Sequence, residues 1–126
     1  MLNKAQGIAI LRVTLGLLFL VTGLGKFMDP SGITGMLGGL GFPAAGLFAW
    51  ILIIVEVLGG AALILGKKVD KAVWPLFIVL LVSILLVHLP ALDMSNQGTV
   101  MNVLWHLVGL GGLLSLHSTG AGKLFA

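Results

Sequence analysis

The sequence predicts an all-α integral membrane protein, a four-helix bundle with both termini cytoplasmic and a short glycine-rich interfacial segment between the first two spans. Three observations carry that prediction. Of the 126 residues, 59% are hydrophobic and only 9% charged, with a mean hydropathy of +1.19, which leaves too little polar surface to cover a water-soluble domain of this size. Apolar runs able to cross about 30 Å of hydrocarbon as helices occur over 7–27, 43–65, 69–89 and 99–116. The basic residues divide unevenly between the two ends: with both termini inside, Lys4, Arg12, Lys67, Lys68, Lys71 and Lys123 fall on the inner half and Lys26 alone on the outer, the asymmetry that sets orientation.

Each span has a break where chain chemistry requires one. Asp29-Pro30-Ser31-Gly32 closes the first. Residues 31–41 are apolar but too short to cross, and their five glycines read as a loop or a short helix on the outer surface. This segment lacks the Lys-Ser/Thr ending of a phosphate-binding loop and follows no strand, so it is not read as a nucleotide site. Pro43 stands where an opening proline is tolerated in the second span. Gly66 followed by Lys67 and Lys68 divides the second span from the third, with the glycine at the helix C-terminal position. Pro75 marks a later start or a kink in the third. Pro90 and the polar stretch 93–98 separate the third from the fourth. Strands are a poor alternative, because membrane strands alternate polar and apolar residues and these runs are apolar all round.

Composition also removes whole classes of function. With no cysteine, disulfides, thiol redox relays and cysteine-ligated zinc or iron–sulfur sites are excluded. The net charge of +3 reads as membrane topology, not as a nucleic-acid footprint. A cleaved signal peptide is disfavoured by Arg12 inside the first apolar run and by the lack of a small-x-small cleavage site.

Two constellations could carry chemistry. Arg12, Gly16, Phe19, Gly23 and Lys26 share one face of the first span, and a lipid-facing arginine would cost roughly 2.5–3.5 kcal/mol, so that face looks inward. The second span carries Glu56 within a stripe of small residues. Counting from the span ends places Arg12 and Glu56 on the inner side of the midplane, roughly 5 Å apart in depth, and predicts a buried ion pair between them. This pair either fixes helix register or serves proton transfer or substrate anchoring. At the outer ends, Lys26, His88, Asn102 and His106 form a second cluster, with Met101 and Trp105 beside it and Asp93 in the adjoining loop. Ammonium, imidazole and amide groups backed by apolar walls suit a quinone carbonyl or another polar head on a lipid tail; the structural reading is that they only bond one another. A bis-histidine haem is disfavoured because His106 counts about a turn and a half deeper than His88. Neither a catalytic triad, paired carboxylates nor a His-Glu-x-x-His metal motif is present, and no metal site is predicted. Thr14, Thr22, Ser83 and Ser115 are expected to bond their own helix backbone.

The motif Arg12-x3-Gly16-x2-Phe19-x3-Gly23-x2-Lys26-Phe27 resembles the first helix of the DoxX family, and Glu56-x2-Gly59-Gly60-x2-Leu63-x2-Gly66 resembles its second. His88 and Asn102 match as well, so the resemblance runs over nearly the whole chain. It implies a four-helix inner-membrane protein, and related DoxD proteins are similar to subunits of thiosulfate:quinone oxidoreductase. This sequence carries no soluble extension of the kind that would oxidise a sulfur substrate, so the resemblance is expected to carry fold, location and a quinone link. The leading expectation is a membrane subunit of a quinone-linked oxidoreductase assembly, surrounded by lipid and working with a protein partner or a second copy. The alternative is a non-catalytic scaffold or small transport or binding protein whose buried polar groups specify packing.

Overall fold

Capping chemistry, which a hydropathy count does not register, sets where the helices begin and end. The computed structural model describes residues 1–123, and four of its helices are long and apolar enough to cross a membrane. Among the described residues there is no strand. Helix α1, Lys4–Met28, starts ahead of the apolar run because Asn3 and Gln6 form a capping box. Asn3 Oδ1 accepts from the Gln6 N–H at 2.8 Å, and Gln6 Oε1 accepts from the Asn3 N–H at 3.0 Å.

The glycine-rich segment is helical: α2, Pro30–Gly39, opens on its proline and packs Ile33 and Leu37 against Ala49 and Ile53. Helix α3, Ala45–Leu65, ends on Gly66 at φ 72°, where the Lys67 N–H reaches back to Ala62 O at 3.1 Å in the usual left-handed closure. Helix α4, Val69–Ser83, runs through Pro75, which corrects the expectation of a later start. The proline removes one ladder bond, but Val73 and Leu76 on either side are fully buried and packing holds the helix across it.

Helix α4 continues into a π-turn, Ile84–His88, with the Leu89 N–H bonded to Ile84 O at 2.8 Å. Pro90 cannot supply the next N–H, and the helix stops there. Helix α5, Gln97–Thr119, is capped by Asn96, whose side chain accepts from the Gly98 N–H. In the preceding loop the Ser95 hydroxyl and N–H both donate to Asp93 and hold its carboxyl below the usual carboxylate range.

Between membrane helices there is little hydrophobic drive, since lipid chains are as apolar as leucine, so close backbone approach has to supply the attraction. Glycines supply it between α1 and α3. A Cβ at Gly60 would lie 2.6 Å from the Leu20 nitrogen, and one at Gly16 would lie 2.7 Å from the Gly60 oxygen. Around that contact Leu15, Phe19, Leu63, Leu76, Leu113 and Leu116 form the core. The helices alternate in direction, so the N- and C-terminal segments meet at one end, where the Lys123 N–H donates to Ala5 O at 2.9 Å. Lys26, His88 and Asn96 stand at the other.

Candidate functional site

The expected Arg12–Glu56 pair does not form. Arg12, only 7% exposed, is a cap for the end of α3: its Nη1 donates to Leu63 O at 2.6 Å and Ile64 O at 2.9 Å, and its Nε donates to Ala121 O at 2.8 Å. The last carbonyls of a helix have no intrahelical partner and carry the negative end of the helix dipole, so a guanidinium fork suits them. Gly66 admits the fork, for a Cβ there would lie 2.7 Å from Nη1.

Glu56 sits two turns before that end of α3, about 10 Å away, and pairs with Lys26. The Lys26 ammonium donates to both carboxylate oxygens at 2.8 and 3.0 Å, and the Thr22 hydroxyl donates to one of them at 3.3 Å. Thr22 also bonds Phe19 O on its own helix, as expected, but its contact with Glu56 ties it to the site. The bare backbone at Gly23 makes room, since a Cβ there would meet Glu56 Cβ at 2.9 Å. The carboxylate is buried while the lysine side chain keeps 29% of its surface. The charge pair therefore spans from the bundle interior towards the end where the loops lie.

Towards that end His88 from the π-turn meets His106 of α5, with ring centroids 4.1 Å apart and planes tilted by 42°. The inferred difference in depth between the two rings is thus corrected: the wide turn brings His88 to the level of His106. His106 Nδ1 lies 2.7 Å from Asn102 O; a carbonyl only accepts, so Nδ1 carries the hydrogen and Nε2 of the neutral ring is left as an acceptor. Asn102 enters through this backbone oxygen, its side chain being exposed and outside the cavity walls. Among the described residues the His88 nitrogens take no hydrogen bond, which leaves them for a ligand.

One cavity of about 350 Å³ joins the two groups, with Lys26, Glu56, Thr22, Ser83, His88 and His106 all on its wall. Helix α2 adds Ile33 and Met36, and α5 adds Trp105. A few polar groups converging in an otherwise apolar hollow of this size are the usual makings of a small-molecule site. Sequence reasoning separated Glu56 from this cluster because it aligned the spans by their ends. The signal that would have joined them is the glycine pattern: seating Gly60 in the turn between Gly16 and Leu20 sets the register and brings Glu56 level with Thr22 and Gly23, one turn from Lys26. Nothing in the sequence foretells the π-turn.

Fold and site together define a multi-pass helical membrane protein with a polar cavity held between helices near one end. Residues 7–89 match the model of the DoxX family, and the chain belongs to that family. It is 37% identical over 84 residues to an uncharacterized membrane protein of Mycobacterium tuberculosis, the alignment covering 66% of this chain and 52% of the relative. It is 33% identical over 91 residues to a Bacillus subtilis protein named "Putative oxidoreductase CatD", covering 71% of this chain and 66% of that one. The chain thus spans about half the length of the first relative and just under two thirds of the second. No solved structure matches.

Proposed function

We propose that this protein is the membrane subunit of a quinone-linked oxidoreductase assembly and that the cavity receives the quinone head. The observation that carries the reading is the gathering of an imidazole pair and an ammonium–carboxylate pair on the wall of one apolar hollow. A quinone carbonyl needs hydrogen-bond donors, which His88 and Lys26 supply, while Glu56, itself bonded by Thr22, holds the lysine in place. A bound quinone carries electrons together with protons, and both groups of residues can exchange protons. With no cysteine the chain has no thiol couple or cysteine-ligated cluster of its own, and in this reading a partner protein supplies the electrons. The name of the Bacillus relative is consistent with such a role.

The test is quinone content. Protein purified in mild detergent is expected to carry an isoprenoid quinone detectable by extraction and mass spectrometry. His88→Ala is expected to lower affinity for added quinone by about 1 kcal/mol, roughly fivefold, with thermal stability nearly unchanged. Asn102→Leu, whose side chain lies outside the cavity, should change neither. Wild-type protein that neither carries nor binds a quinone would overturn the reading.

We place the protein in the cell membrane with both termini cytoplasmic, on the strength of the basic residues gathered at the end where the termini meet. A reporter fused at the C-terminus should read cytoplasmic and one inserted at Asn96 external; the opposite pattern would invert the bundle and put the cavity near the inner surface.

A further inference from the structure

The cavity does not close against its surroundings. A second hollow, of about 500 Å³, runs along the outside of the bundle between α1 and α5, and it shares Leu18, Thr22, Trp105 and Gly109 with the cavity wall. On α1 it extends from Thr22 back to Leu11, roughly 16 Å at the helical rise. Val21 and Val108 on its sides are 64% and 66% exposed, so in a membrane-spanning bundle the hollow faces lipid. At Gly109 the wall shared by the two hollows is bare backbone with a Leu80 methyl packed on it, since a Cβ there would lie 2.8 Å from Leu80 Cδ1.

The groove asks for nothing polar. The Thr14 hydroxyl is spent on Ile10 O and Leu11 O of its own helix, and that of Thr22 on Phe19 O and Glu56. The rest of its wall is hydrocarbon, indole and glycine. A hollow lined with donors and charge, sharing part of its wall with a long apolar groove open to the side, has the form of an amphiphile's binding site.

Resting on the reading of the cavity as a head-group site, we infer that its ligand carries a long hydrocarbon chain, which leaves the bundle sideways between α1 and α5 along this groove. The head thereby enters from the bilayer and not from water. The chain adds little affinity, because leaving lipid for an apolar groove gains almost no hydrophobic free energy. What the groove supplies is passage, so an obstruction should act on tailed ligands alone.

The test uses the full-length protein in lipid nanodiscs with Trp50 and Trp74 replaced by phenylalanine, leaving Trp105, which lines both hollows, as the fluorescence reporter. Two probes are titrated: a short benzoquinone with no chain, and the same head bearing a long alkyl chain. Both should quench Trp105 in the parent protein. Val21→Phe and Val108→Phe, made separately at exposed positions on the two sides of the groove, should each weaken binding of the tailed probe by about tenfold while leaving the short probe within about twofold. Equal binding of both probes in both variants would send the chain elsewhere and overturn the inference, with the head-group site intact. Equal loss of both probes in both variants would also overturn it, since head and chain would then not occupy separate hollows. If the parent protein binds neither probe, the head-group reading itself fails.

Discussion

Replacing Lys26 with methionine is expected to destabilise the protein by about 3 kcal/mol, because it leaves the Glu56 carboxylate buried with only the Thr22 hydroxyl near it. Measured losses for breaking a buried pair run from about 3 to 5 kcal/mol, and the lower figure applies here because the lysine end keeps some access to its surroundings. Replacing both partners, as Lys26→Met with Glu56→Gln, should recover most of the loss, since no unpaired charge remains and the amide can still accept from Thr22. The measurement is a double-mutant cycle on thermal unfolding in detergent. A coupling energy near zero would mean that the two side chains do not act as a pair. The same cycle on Arg12 and Glu56 should be additive, because those residues share no partner.

Replacing Arg12 with methionine is expected to cost about 3 kcal/mol, and to do so at the opposite end of the bundle. Three carbonyls, those of Leu63, Ile64 and Ala121, lose charge-assisted donors, each worth roughly 1.5–3 kcal/mol, while methionine recovers part of the packing. Lysine at this position should restore less than half, since one ammonium cannot reproduce the planar fork that serves two segments at once. Limited proteolysis supplies a readout beyond stability: cleavage near residues 119–123 should be faster in both variants than in the wild type. Unchanged cleavage would show that the tail is held without the arginine.

The two substitutions mark the point where the sequence stopped being legible. Apolar runs announce helices through the bilayer whatever packs beside them, which is why four spans could be counted and the polar residues within them recognised as inward-facing. Which inward-facing residue meets which is a matter of register, and register is set by backbone contacts such as Gly16 on Gly60, not by the ends of hydropathy peaks. A shift of two turns in α3 moved Glu56 from Arg12 to Lys26. The capping box at Asn3 and Gln6 was readable in principle, being a local pattern. The π-turn before Pro90 was not: widening a helix by one residue costs little and leaves no mark in composition, yet it decides that His88 meets His106. The outer cluster was foreseen as a neighbourhood, but Asn102 enters it only through its backbone oxygen, a role any residue could fill.

The partners of Arg12 also impose an order on how the molecule is made. A chain emerging from the ribosome threads its first helix into the bilayer while this arginine has none of its acceptors. The Leu63 and Ile64 carbonyls arrive only with the end of α3, and Ala121 only after all four spans have been synthesised. During that interval the first helix bears a charge that insertion tolerates at roughly 2.5–3.5 kcal/mol. The arginine therefore enters without the acceptors it holds in the finished bundle, and its set is complete only when the segment after α5 brings up the Ala121 carbonyl.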